Sequence, residues 1–161
     1  MKFRISFCLL FLLTGTIIFA GKAQQVFDKP AFYNALSSEN VNVINSQIDL
    51  LKGVSIAEKE AYEGALLMKK AGVIKGTAKE KLSLFKSGRS KLESSISKST
   101  DNIEYRFLRL IIQEHAPKIV KYRDEIVQDS QLVKANFKNL PQYLQQVITD
   151  YSKSSKVLKN G

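Results

Sequence analysis

The chain of 161 residues has one cysteine, Cys8, and one histidine, His115. Cys8 sits in an apolar stretch near the N-terminus, so the rest of the sequence carries no thiol. That excludes disulfide staples and cysteine nucleophiles from the body of the protein, and stability must come from packing. One histidine cannot build a histidine-rich metal site. Proline occurs three times and glycine eight times, and alternating apolar-polar runs are missing, so no stretch reads as a strand. There is no serine in a glycine elbow, no phosphate-binding glycine loop, no calcium loop and no HExxH. The carboxylates are dispersed, with no recognisable acid/base couple, although folding can bring distant acids together. No catalytic residue, metal or cofactor is expected.

The formal charge is +10. A basic balance invites a nucleic-acid reading, but the lysines are scattered (Lys69-Lys70, Lys75, Lys79, Lys81, Lys86, Lys91, Lys98) with acids between them. No arginine-aromatic interleaving suggests base stacking. A solvated surface is the plain reading, with weak attraction to an anionic membrane or glycan, or to an acidic partner, beside it.

Lys2 and Arg4 precede an apolar run over residues 5–19, and Gly21-Lys22-Ala23 places small residues where a signal peptidase reads. The run is shorter than the roughly 20 residues that span a bilayer. Residues 1–23 therefore read as a secretory signal peptide, cut before Gln24, with no transmembrane span left after cleavage. Loss of Lys2, Arg4 and Lys22 leaves +7. The expected location is the bacterial periplasm or outside the cell. Residues 24–161 suffice for a single core-bearing domain.

The domain reads as all-α. Asp28 caps a first short helix, with Pro30 in its first turn. Residues 24–27 are expected to form a flexible lead. Val41, Ile44, Ile48 and Leu51 mark one face of a second helix, stopped at Gly53. Ser55-Ile56-Ala57-Glu58 and Thr77-Ala78-Lys79-Glu80 have the form of capping boxes. The first opens a helix with the small-residue stripe Ala57, Ala61, Gly64, Ala65, Met68. The second opens a helix with the stripe Ala78, Leu82, Phe85, Gly88, Leu92, Ile96. Residues 102–115 crowd Phe107, Leu108, Leu110, Ile111 and Ile112 into six positions, so this helix must be covered on several sides. It closes near Pro117. A helix from Lys118 is expected to carry Ile119, Tyr122, Ile126 and Val127, and either runs on to Phe137 or breaks near Asp129-Ser130. The last helix opens at Asn139-Leu140-Pro141, and the end of the polar, lysine-rich tail 152–161 is expected to fray. The expected architecture is a compact antiparallel bundle of six or seven helices around the central helix 102–115.

Gly88, Leu92 and Ser95, followed by a turn at Thr100-Asp101-Asn102, resemble the second helix of a tetratricopeptide (TPR) repeat and the turn after it. Thr100 stands where that repeat usually has proline, the preceding half does not fit because of Gly72 and Gly76, and no second copy appears. The resemblance implies a helical-hairpin scaffold for protein–protein contact.

On the central helix Arg106, Arg109 and Gln113 form a polar stripe. Guanidinium forks match carboxylates and phosphates, so these three are the candidate ligand- or partner-binding residues. The competing reading pairs them with Glu104, Glu114, Asp124 or Glu125 of the chain itself. His115, at a helix C-terminus, reads as a cap. The tyrosines read as core-edge rings with wet hydroxyls. Together these features point to a non-catalytic periplasmic or secreted helical binding or scaffold protein with a protein partner. The alternatives are an envelope-associated basic protein on anionic surfaces and, more remotely, an enzyme with a carboxylate site assembled by folding.

Overall fold

Of the five large apolar side chains at 107–112, all but the half-buried Ile111 are buried. In the structure, a computed structural model that describes residues 27–159, they belong to α5 (Ile103–His115). Eight of its 13 residues are buried: Glu104, Tyr105, Phe107, Leu108, Arg109, Leu110, Ile112 and Gln113. They point in more directions than one face, and neighbours lie on several sides. The remaining helices are α1 (Lys29–Ser37), α2 (Val41–Gly53), α3 (Lys59–Val73), α4 (Ala78–Lys98), α6 (Ile126–Asn136) and α7 (Gln142–Ser152). Short 3-10 turns lie at Lys118–Val120 and Phe137–Asn139, and no strand occurs among the described residues. The expected signal peptide, residues 1–23, lies outside them. No described helix is long and apolar enough to cross a membrane.

Side-chain chemistry sets most helix starts. Asp28 accepts from the Ala31 amide at 3.3 Å, Asn40 from Asn42 at 2.9 Å and Asn102 from Tyr105 at 3.1 Å. The Thr77 box forms in full, Thr77 and Glu80 each bonding the other's backbone N–H. The box expected at Ser55 does not form. Residues 57–58 make a turn, α3 starts at Lys59 without a side-chain cap, and Glu58 instead lies 3.9 Å from the Lys29 ammonium.

α3 and α4 form an antiparallel hairpin. Lys91 reaches Glu60 at 2.6 Å and Glu63 at 3.2 Å, while Gly64 and Met68 lie against Gly88. Of the stripe expected on α4, Phe85, Gly88, Leu92 and Ile96 are buried, but Ala78 is exposed and Leu82 is 43% exposed. Both positions face solvent near the start of the helix. Ala57 is likewise exposed, ahead of the helix rather than in it.

The chain after Pro117 departs most from expectation. One 3-10 turn is followed by irregular backbone, with Lys121 in the left-handed region at φ 46. The break thus falls at 121–125, and residues 126–136 are a single helix with no break at Asp129-Ser130. Ile119, expected inward, is 88% exposed. Tyr122 holds this segment down. Its buried ring meets Phe85 edge-on at 5.8 Å, the Arg89 guanidinium lies 4.6 Å above it, and its hydroxyl donates to Glu93 at 2.5 Å.

Both ends of the described chain are docked. Phe27 stacks on Tyr62 at 5.1 Å, so it is part of the core rather than a loose lead. The tail is tied as far as residue 158, and its last two residues, 160–161, where fraying is expected, lie outside the described residues. Glu114 accepts from the hydroxyls of Tyr151 and Ser155 (2.8 and 2.7 Å) and from the Lys156 amide (2.9 Å), and Leu158 is buried.

Candidate functional site

The stripe Arg106-Arg109-Gln113 sits where the helical period places it, and its donors meet the chain's own acids. Arg109 is 3% exposed. Its Nε and one terminal nitrogen grip Asp129 of α6 at 2.7 and 2.9 Å, and the other terminal nitrogen donates to Glu93 of α4 at 2.9 Å. The fork thus ties three helices together. Arg109 is held well above the ordinary arginine range. Burial opposes the charge, but the hydrogen bonds and charges of Asp129 and Glu93 outweigh it. Arg106 lies 3.7 Å from Asp129 and donates to the Thr100 carbonyl at 3.0 Å. Gln113 donates to Glu125 at 2.5 Å. The Arg106 Nε and the Gln113 Oε1 are buried with no hydrogen-bond partner among the described residues.

A second polar cluster lies at the start of α5. Glu104 is 8% exposed. One of its oxygens accepts from the hydroxyls of Tyr33 and Tyr62, each at 2.9 Å. The other accepts from the Lys29 ammonium and the Tyr143 hydroxyl, each at 3.0 Å, and Lys29 also donates to Tyr143 at 2.7 Å. Four donors on two oxygens use the full acceptor capacity of a carboxylate. Burial and the facing Glu104 charge push the Tyr33 and Tyr62 hydroxyls far above the ordinary tyrosine value. Lys29 is raised: burial pulls it down, but bonds to Tyr143 and Glu104 prevail. With Tyr122 on Glu93 and Tyr151 on Glu114, five of the six tyrosine hydroxyls end on a carboxylate. The expectation of wet hydroxyls fails at these positions.

The acids that folding brings together have cations between them. Glu58 and Glu104 meet at Lys29 (3.9 and 3.0 Å), and Glu93 and Asp129 meet at Arg109 (2.9 and 2.7 Å). No group of three metal-ligating side chains occurs among the described residues.

A cleft of about 530 Å³ lies between α1, α5 and α7 and reaches Lys69 of α3. Tyr33 and Leu36 of α1, Ile111 and Ile112 of α5 and Val147 of α7 line it with apolar surface. Its rim is polar. Glu39 and Lys69 form an ion pair at 2.5 Å on one side, and His115, Asp150 and Ser154 lie on another. His115 is exposed, with its Nδ1 2.8 Å from the Ile111 carbonyl, the turn-closing position expected at a helix end. None of the three stripe residues lines the cleft.

No sequence pattern marks Lys29, and Glu104 is legible only as an ion-pair partner for the stripe. One signal could have marked Glu104. It lies one turn before Leu108 and two before Ile111 and Ile112, on a helix whose neighbouring positions are core. An acid at such a position requires buried donors. The donors come from 39, 42, 71 and 75 residues away, and no local pattern names them. Comparison with family models, with curated proteins and with solved structures gives no match.

Proposed function

We propose that this chain is a non-catalytic helical binding protein of the bacterial periplasm or exterior, taking an apolar element of a protein partner into the cleft between α1, α5 and α7. The observation that carries this reading is the cleft itself. About 530 Å³ lies within the roughly 300–1,000 Å³ of ligand-holding sites, and an apolar floor with a few polar groups at the rim is their usual make-up. The buried Glu104 and Asp129 and the half-buried Glu93 support a structural rather than catalytic use, since each is taken up by hydrogen bonds that join helices. The signal-like N-terminus supports the location. The α3–α4 hairpin, with Gly88 and Leu92 packed inward, supports a scaffold of the kind that the TPR-like segment implies.

The test is a photo-crosslinker at Asn34, an exposed residue of the cleft, compared with a variant in which Ser37→Trp fills the cleft from its rim. Specific crosslinks in envelope extracts that disappear in the filled variant, with circular dichroism unchanged, are expected. Crosslinks indifferent to Ser37→Trp, or none above background, would reject the cleft as the site.

A further inference from the structure

We infer that the outer face of α4, together with the turn that Tyr122 anchors beside it, is a docking surface for an anionic lipid bilayer. Lys79, Leu82, Lys86 and Arg89 follow one another at spacings of three, four and three, so they share one face of α4. That face leads to Tyr122, because the Arg89 guanidinium lies 4.6 Å over its ring. Tyr122 in turn fixes the neighbouring turn, which presents Lys118, Ile119 and Lys121.

Two of the four exposed large apolar side chains of the described residues, Leu82 at 43% and Ile119 at 88%, fall on this surface. Among the described residues no carboxylate lies within salt-bridge distance of Lys79, Lys86, Arg89, Lys118 or Lys121. The nearby acids are mostly engaged: Glu80 caps Thr77, and Glu93 holds Tyr122 and Arg109. Asp124 remains beside the turn and reduces its charge by one.

Unpaired cations surrounding exposed aliphatic side chains match an anionic headgroup layer over hydrocarbon. Charge draws the surface in, and the aliphatic groups enter the acyl boundary. A soluble polyanion would be served by the cations alone and would leave Ile119 and Leu82 in water. The surface shares no residue with the cleft lining, so it stands or falls independently of the proposed function.

The test is flotation of the purified full chain with phosphatidylglycerol/phosphatidylcholine vesicles, with pure phosphatidylcholine vesicles and heparin as comparisons. Binding to the anionic vesicles should fall about tenfold or more in Lys118→Glu/Lys121→Glu, because each cation contributes severalfold near such a surface. It should fall severalfold in Leu82→Ser/Ile119→Ser, whose charge is unchanged. Both pairs alter exposed side chains, and circular dichroism should confirm the fold. Differences between variants are read, so any contribution from the apolar run at 5–19 is common to all. Failure to bind anionic vesicles would overturn the inference. So would Lys118→Glu/Lys121→Glu changing binding to neutral vesicles as much as to anionic ones, or heparin binding accompanied by no effect of the serine pair on vesicle binding.

Discussion

Gly64 and Gly88 touch backbone to backbone where α3 crosses α4. A Cβ at position 64 would fall 2.7 Å from the Gly88 carbonyl oxygen, and one at position 88 would fall 2.5 Å from that of Gly64. Neither obstacle is a flexible side chain, so the helices must separate. Gly64→Ala and Gly88→Ala should each destabilise the fold by about 1–3 kcal/mol, the usual range for overpacking. Gly72, also in α3, has nothing within 4 Å of its would-be Cβ. Gly72→Ala should therefore stabilise by about 0.5–1 kcal/mol, as alanine does in an open helix position. Urea denaturation of the three variants checks both signs.

Arg109 joins α4, α5 and α6 through Glu93 and Asp129. Arg109→Ala leaves the fully buried Asp129 with Arg106 at 3.7 Å and should cost about 3–5 kcal/mol, as removal of one partner from a buried ion pair does. Arg109→Lys, paired with Arg106→Lys, keeps the charge but loses the fork. If the stripe is structural, this double variant should be less stable in denaturant titration. Cleft crosslinking, normalised to folded protein, should stay unchanged.

Glu104 collects four donors, so Glu104→Gln removes a charge facing Lys29 and places an amide among hydroxyls. A loss of about 2–4 kcal/mol is expected for a largely buried, partly ionic network. Tyr143→Phe deletes one donor and should cost about 0.5–1.5 kcal/mol. A double-mutant cycle between the two positions should show strong coupling, because both changes act on one oxygen of Glu104.

All six tyrosines are shifted upward, in each case first by burial; the acid the hydroxyl faces adds to this at Tyr33, Tyr62, Tyr122 and Tyr151, and at Tyr143 Lys29 works against Glu104. Lys29 is shifted upward as well. A group whose folded value lies above its unfolded value contributes fully below the unfolded value, and loses that contribution as pH rises through the folded one. Stability should therefore be steady up to about pH 9 and fall beyond about pH 10, where the unfolded chain sheds protons that the native state keeps. Each such proton steepens the fall by about 1.4 kcal/mol per pH unit. In an alkaline titration the tyrosinate absorbance of Tyr33, Tyr62 and Tyr122 should rise together with the loss of helical circular dichroism. A smooth rise at the ordinary tyrosine value, with the fold intact, would contradict this arrangement.

The central helix is legible in the sequence because five large apolar residues in six positions leave a helix no solvent face there. The caps at Asp28 and Thr77 are legible because they are local. Three features are not local and so escape such reading. Glu58 turns to Lys29, distant in the chain, and the Ser55 box is not made. Tyr122 reaches α4, and its anchoring prevails over helix continuation from Lys118. Glu114 takes the hydroxyls and amide that hold residues 151–156, where the sequence shows only polar composition. The stripe Arg106-Arg109-Gln113 can be placed from periodicity, but its acids on α4 and α6 cannot. The cleft is made by three helices meeting and has no sequence pattern of its own.

The tyrosine–carboxylate pairs also have an optical consequence. The chain contains no tryptophan, so its ultraviolet emission comes from tyrosine alone. A phenol hydrogen-bonded to a carboxylate can pass its proton toward it in the excited state and return to the ground state without emitting. With five of six hydroxyls so placed, the folded protein should be dim and its denatured chain bright. The protein thus carries its own unfolding indicator, with no dye or label required.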